Sequence, residues 1–139
     1  MQKVLFICIH NSARSQMAET YLNDWGGNRF QAESAGLQPT EINPLTVEVM
    51  LEEGYDLNGK PTQSVFDLFR EGRLYSHVIT VCSESVEQEC PVFPGVAYRG
   101  HWPFPDPAAA QGTLEERRDQ FRAVREQIKS RIKEFLAEQ

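Results

Sequence analysis

The sequence has no long apolar run and only three cysteines. None of its 139 residues belongs to a stretch near the roughly 20 consecutive apolar residues that a membrane helix requires. The N-terminus lacks the long apolar region and small-residue cleavage site of a signal peptide. Three cysteines are an odd number, so they cannot all form disulfides within one chain. In a reducing compartment cysteines are thiols, and any disulfide would be transient and catalytic. We therefore expect a cytoplasmic protein without a membrane partner.

The chain also lacks an excess of positive charge. It has 14 Lys and Arg against 20 Asp and Glu, which gives a net charge of -6. A general nucleic-acid binder would show a basic surface, so we expect no nucleic-acid partner. A small-anion pocket remains compatible with this balance, because such a pocket can be locally positive. The length fits one globular domain over residues 1–139.

Short apolar runs alternate with helical patterns along the chain. Strands are predicted at residues 3–7, 30–35, 77–81 and 96–99, and helices at residues 14–25, 44–54, 64–69 and after the Thr113–Glu116 capping box. This alternation predicts an α/β fold, with helices on both faces of a parallel sheet. Such folds bind ligands beyond the carboxyl ends of their strands.

A cysteine stands where the first predicted strand ends. Cys8 opens a Cys-x5-Arg loop that runs into a helix at Arg14, followed by Ser15. A loop of this kind directs several backbone N–H groups at one point, and the positive environment lowers the pKa of a thiol at its base. We therefore predict Cys8 as a nucleophile and an oxyanion-binding loop formed by Ile9, His10, Asn11, Ser12, Ala13 and Arg14.

Two polar residues support this loop. Ser15 can donate a hydrogen bond to the thiolate, and the Asn11 side chain can bond to backbone groups and hold the loop in place. The alternative is that Cys8 is a buried apolar residue and that Arg14 simply starts a surface helix. The position of the motif between a strand and a helix favours the anion loop.

These motifs resemble one known family. The segment VLFICIHNSARSQMAE is similar to the active-site loop of the low-molecular-weight tyrosine phosphatases and of their relatives, the thioredoxin-coupled arsenate reductases. The similarity continues through SAG at 34–36, NP at 43–44, EEGYDL at 52–57, VITVC at 78–82 and HWPFPDPAAAQGTLEERRDQF at 101–121. It implies a single flavodoxin-like domain with a four-stranded parallel sheet, and the stretch DPAAAQGT favours the reductase branch. The family usually has glycine at His10 and often a second cysteine at Ala13; since histidine accepts a positive φ better than most residues, we expect the loop to close.

Two further cysteines separate the possible activities. Cys82 ends a predicted buried strand and should emerge near Cys8, and Cys90 follows the polar, flexible-looking stretch SESVEQE, one residue further than the family spacing. The resemblance implies that Cys8 attacks arsenate, that Cys82 attacks the Cys8 adduct and releases arsenite, and that Cys90 then forms a Cys82–Cys90 disulfide. A dithiol carrier such as thioredoxin would reduce that disulfide. The alternative is that Cys82 is a core residue and Cys90 is incidental.

The proline-rich segment 103–107 carries an aspartate. By resemblance, Asp106 acts as the general acid that protonates the leaving oxygen, whereas the residues alone favour a turn-forming Asp-Pro. Alanines follow at 108–110, where phosphotyrosine-specific relatives often have aromatic residues. An aryl substrate would have no stacking surface there, which favours a small inorganic anion.

The resemblance also implies a potassium site at Asn11, Glu19, Ser34 and Asp67, whose oxygen ligands would suit a hard cation. The residues alone are equally compatible with a surface charge at Glu19 and a helix cap at Asp67. We expect no tightly bound cofactor, reducing equivalents from thioredoxin, and a monomer.

Three functions are compatible with the sequence. The favoured one is thioredoxin-dependent arsenate reduction, because a two-electron reduction needs the additional thiols Cys82 and Cys90. The first alternative is a phosphatase, which would need only Cys8, Arg14 and Asp106. The second is a non-catalytic oxyanion or redox sensor.

Overall fold

The fold is built around a parallel sheet of four strands. The computed structural model describes residues 1–83 and 88–139. In chain order the elements are β1 (Gln2–Cys8), α1 (Arg14–Trp25), β2 (Phe30–Gly36), α2 (Pro44–Leu51), α3 (Val65–Arg70), β3 (His77–Thr80), β4 (Tyr98–His101), a short 3-10 helix (Pro107–Ala109) and α4 (Leu114–Ala137). The strand order is β2-β1-β3-β4, and each neighbouring pair is parallel. This confirms the predicted α/β fold with four parallel strands.

Helices cover both faces of the sheet. Val4 and Phe6 of β1 pack into the larger core cluster with α1, α2 and α4, whereas Leu5 and Ile7 face the cluster that contains α3. All four side chains are fully buried. A central parallel strand with both faces covered is apolar at successive positions, which explains the continuous apolar run of β1.

The helix boundaries follow local capping chemistry. Asn43 accepts a hydrogen bond from the N–H of Leu45 at the start of α2, and Thr113 and Glu116 form the predicted capping box of α4. The apolar stripe predicted for the last helix is buried, namely Phe121, Val124, Ile128, Ile132 and Phe135. Within the part of the chain that the structure describes, no helix combines the length and the apolar character needed to cross a bilayer.

The fourth strand differs from its prediction. It was expected at residues 96–99 and forms at Tyr98–His101. This strand lies at the sheet edge and is mostly exposed, so hydrophobic residues do not mark its bounds. Its start is fixed by the Ser76 carbonyl, which accepts from the N–H groups of Ala97 and Tyr98, and by the pairing of His77 with Tyr98.

Candidate active site

The loop after β1 has its carbonyl groups turned outward. The carbonyls of Cys8, Ile9, His10 and Ser12 accept hydrogen bonds of 2.8–3.2 Å from N–H groups in the segment 37–43. The N–H groups of Ile9 and His10 point into the loop and donate hydrogen bonds to the sulfur of Cys8. Because outward carbonyls leave inward amides, the loop forms a cup of backbone donors in front of the N-terminus of α1.

The sulfur of Cys8 lies at the base of this cup. Cys8 is 3% exposed. A hydrogen bond from the Cys82 thiol, the charge of Arg14 and the two loop N–H groups lower the pKa of Cys8 from 9.0 to about 6, against the opposing effect of burial. Cys8 is therefore mostly a thiolate at neutral pH, which is the nucleophilic form.

The loop closes through Asn11 rather than through His10. Asn11 has φ 54°, and it is the one non-glycine residue with a positive φ in the described ranges. Asparagine is among the residues that adopt this conformation most readily. The loop closes as expected, but without a positive φ at His10, whose ring nitrogen Nδ1 lies 3.0 Å from the Gln38 carbonyl oxygen.

The Asn11 side chain connects the loop to α1, to β2 and to the segment before α3, through two hydroxyl groups and one backbone N–H. It is fully buried, and its Nδ2 donates to Ser15 Oγ at 2.8 Å and to Ser34 Oγ at 2.9 Å. Its Oδ1 accepts from the N–H of Gln63 at 3.0 Å. Cys82 is a side-chain hydrogen-bond donor to Cys8, and the role of Ser15 as a second donor stays a prediction.

The predicted potassium ligands do not form a cation site. Glu19 accepts from Ser34 Oγ at 2.6 Å, but its other carboxylate oxygen binds the ammonium group of Lys60. The Asn11 side-chain oxygen is taken by a backbone N–H, and Asp67 pairs with Arg70 on the surface. No group of three or more His, Cys, Asp or Glu residues suited to a metal occurs among the residues that the structure describes. This arrangement of donors does not fit a potassium ion.

Arg14 connects the loop to the proline-rich segment. Its guanidinium is buried, and Nη1 donates to the carbonyl of Phe104 at 3.0 Å. Two residues later, Asp106 is half-buried and accepts from the N–H of Ala108 at 3.0 Å, which caps the short 3-10 helix. Asp106 thus forms the turn expected of an Asp-Pro pair, and its role as a general acid stays a prediction.

The other two cysteines lie on either side of the strand ends. Cys82 follows β3, is fully buried and donates a hydrogen bond to Cys8. Cys90 is half-buried and packs against both core clusters. Cys90 also lines a surface cavity of about 240 Å³ together with Val78, Thr80, Pro91, Val92, Arg99 and Gly100. All three cysteines are in the reduced state. Residues 84–87 of the stretch predicted to be flexible lie outside the described residues.

Sequence reasoning missed residues that support the loop from outside it. A Cβ at Gly36 would lie 2.7 Å from the Ile9 carbonyl oxygen and 2.9 Å from the Asn11 nitrogen, so only glycine fits there. The side chain of Gln16 donates to the Asn11 carbonyl at 3.1 Å. A glycine that closes a strand was visible in the sequence, but its contact with the loop depends on the pairing of β1 with β2.

Comparison with known proteins gives one family. The family model described as low molecular weight phosphotyrosine protein phosphatase matches residues 3–139. An arsenate reductase of Bacillus subtilis is 38% identical over 133 residues, which make up 95% of this chain and 93% of the relative.

Solved structures agree with this match. An arsenate reductase in the phosphate binding state has a TM-score of 0.82 at 30% identity, and the alignment covers 99% of this chain and 98% of that chain. A thioredoxin-dependent arsenate reductase from Corynebacterium glutamicum has a TM-score of 0.70 at 30% identity, covering 99% of this chain and 61% of that chain.

Proposed function

The chain belongs to the low molecular weight phosphotyrosine protein phosphatase family, and from this premise we propose that it reduces arsenate to arsenite through Cys8, Cys82 and Cys90. The observation that carries the proposal is the hydrogen bond from the Cys82 thiol to the sulfur of Cys8. A phosphatase needs one sulfur at its anion loop, whereas a reductase needs a second sulfur within reach of the first.

The first step is attack on arsenate. The Cys8 thiolate forms a bond to arsenic, and one arsenate oxygen leaves as water after protonation. The inward N–H groups of the loop and the buried Arg14 guanidinium bind the remaining oxygens. Support comes from the relative whose structure is described as phosphate-binding, since phosphate and arsenate share shape and charge.

The second step is the reduction itself. The Cys82 thiol gives its proton to an oxygen of the departing arsenite, and its sulfur attacks the sulfur of Cys8. The bond between Cys8 and arsenic breaks, with its electron pair going to arsenic. Arsenic is reduced from the +5 to the +3 state, and the two sulfurs are oxidised to a disulfide. Since the Cys82 thiol already lies within hydrogen-bond range of Cys8, this attack requires little movement of the loop.

The third step moves the disulfide to the surface. Cys90 attacks Cys82, which frees Cys8 and leaves a Cys82–Cys90 disulfide. Cys90 is half-buried and borders a surface cavity, so this disulfide becomes the one that a protein thiol can approach. We propose a thioredoxin-type dithiol as that carrier, in line with the thioredoxin dependence named for the Corynebacterium glutamicum relative. We further propose that the protein acts as a monomer in the cytoplasm.

Cysteine variants test this sequence of steps. In an assay with arsenate, thioredoxin, thioredoxin reductase and NADPH, we expect arsenite release and NADPH consumption. Cys8→Ser should abolish both, and Cys90→Ser should release no more than one arsenite per protein molecule and leave a Cys8–Cys82 disulfide detectable by mass spectrometry. Absence of NADPH consumption by the unchanged protein would refute the proposal. Sustained turnover by Cys90→Ser would refute the role of that residue.

A phosphatase activity is the second candidate. Hydrolysis of a phosphoester would use the Cys8 loop and Arg14 and would not need the other two cysteines. Asp106, the candidate general acid, lies two residues after Phe104, whose carbonyl accepts from Arg14. This activity predicts that hydrolysis of a small phosphoester persists in Cys90→Ser and is lost in Cys8→Ser. The two activities are therefore separable on the same set of variants.

A further inference from the structure

A partly buried hydrogen-bond network connects the anion loop to a lysine on a distant segment. Asn11 donates to Ser34, and Ser34 donates to Glu19 at 2.6 Å. The other oxygen of Glu19 binds the ammonium group of Lys60. Lys60 lies 41 residues after Glu19 in the sequence, on the connection between α2 and α3.

We propose that the Lys60 ammonium is a built-in monovalent cation, which neutralises Glu19 and thereby holds Asn11 and the anion loop in place. With this lysine the protein needs no dissociable cation at that point. Lys60 is a positioning residue in this proposal, because it acts through Glu19, Ser34 and Asn11 and does not touch the substrate.

Burial makes the neutralisation of Glu19 necessary. The side chain of Glu19 is 15% exposed and that of Lys60 is 25% exposed. A carboxylate removed from water needs a counter-charge, and loss of one partner from such a pair leaves the other uncompensated. Without the ammonium group, the Glu19 carboxylate would lose the counter-charge that Lys60 supplies and would attract a cation from solution.

The segment that carries Lys60 is attached to the loop independently of the ammonium group. The N–H of Gln63 donates to Asn11 Oδ1 at 3.0 Å, and Gln16 Nε2 lies 3.4 Å from the Pro61 carbonyl oxygen. The N–H of Lys60 itself donates to the Leu57 carbonyl at 3.0 Å. We expect these contacts to keep the segment in place when the lysine is shortened, so that a small cation can take the position of the ammonium group.

Cation dependence of thermal stability tests the proposal. Lys60→Ala and Lys60→Gln are melted in potassium chloride and in N-methylglucamine chloride of equal ionic strength. We expect the variants to melt about 5 °C below the unchanged protein in N-methylglucamine, and to recover most of that loss in potassium. The unchanged protein should melt at the same temperature in both salts. Lys3→Ala is the matched control, since it removes an exposed lysine at the start of β1.

A charge-removing variant separates this role from a packing role. In Glu19→Gln combined with Lys60→Ala no negative charge remains, so stability should be independent of potassium. Phosphate affinity, measured by calorimetry, should change as the melting temperature does, because the loop binds the anion. It should be weaker in the Lys60 variants in N-methylglucamine, recover in potassium, and be independent of potassium in the double variant.

Three outcomes would overturn the proposal: unchanged melting of the Lys60 variants in N-methylglucamine, a loss that potassium does not restore, or an equal potassium effect in the unchanged protein. Neither readout requires arsenate turnover, so this result is independent of the proposed reductase activity.

Discussion

The hydrogen bond from Cys82 to Cys8 predicts a measurable change in the chemistry of Cys8. Cys82 is the largest contributor to the lowered pKa of Cys8, which is about 6. Replacing Cys82 with alanine removes this donor from a buried thiolate. A hydrogen bond to a charged group contributes about 1.5–3 kcal/mol, and one pKa unit corresponds to about 1.4 kcal/mol. We therefore expect the pKa of Cys8 in Cys82→Ala to rise by about 1–2 units.

The predicted shift changes the reactivity of the site at neutral pH. With a pKa of about 6, roughly nine-tenths of Cys8 is thiolate at pH 7; after a rise of about 1–2 units this fraction falls to between about a half and a tenth. The measurement is the rate of alkylation of Cys8 by iodoacetamide as a function of pH. Cys90→Ser serves as the background, and mass spectrometry identifies the modified residue.

Serine at position 82 is the matched control. Cys82→Ser also removes the sulfur and therefore the disulfide, but its hydroxyl still donates a hydrogen bond. We expect its Cys8 pKa to stay close to that of the unchanged protein. An unchanged pKa in Cys82→Ala, or an equal rise in both variants, would show that this hydrogen bond does not control the thiolate.

Three other perturbations have defined outcomes. Gly36→Ala places a Cβ 2.7 Å from the Ile9 carbonyl oxygen, and it should destabilise the fold by about 1–3 kcal/mol and weaken phosphate binding. Gly27→Ala has open space around the added Cβ, so it should cost only backbone strain and leave phosphate binding intact. Urea unfolding measures the stability of both variants, and calorimetry measures their phosphate binding. Arg14→Lys keeps the charge but loses the fork and its bond to Phe104, so phosphate affinity should fall about tenfold to a hundredfold by titration. Because folding lowers the pKa of Cys8 from 9.0 to about 6, the folded state binds fewer protons between these values. The free energy of unfolding, relative to that of Cys8→Ala, should therefore rise as pH increases from 6 to 9 and be lost as pH falls to 6; a flat difference would refute the lowered pKa.

The elements that the sequence predicted well are those with local causes. The apolar run of β1, the helix from Arg14 to Trp25 and the capping box at Thr113 depend on neighbours within a few residues, and each lies where it was expected. The exposed edge strand β4 lacks such a local signal, and its predicted bounds were two residues early. The number of strands was implied by resemblance to a family, and the order β2-β1-β3-β4 came only from the structure.

The active-site loop also has features that the sequence predicts and features that only the fold determines. The residues from Cys8 to Arg14 predict an anion-binding cup, because the motif depends only on a cysteine that follows a strand and an arginine that begins the next helix. The sequence alone did not show that Asn11 carries the positive φ, that Gly36 must lack a Cβ, or that Cys82 is the donor to Cys8.

Charge pairing across the chain was decided only by the tertiary structure. The resemblance to the family implied that Glu19 and Asp67 are two ligands of one cation, but folding brings Lys60 to the first and leaves the second with Arg70. Sequence patterns record which residues can share a strand or a helix face. The partner of a buried charge depends on which distant segment packs against it, and that is determined by the parallel crossovers of the sheet.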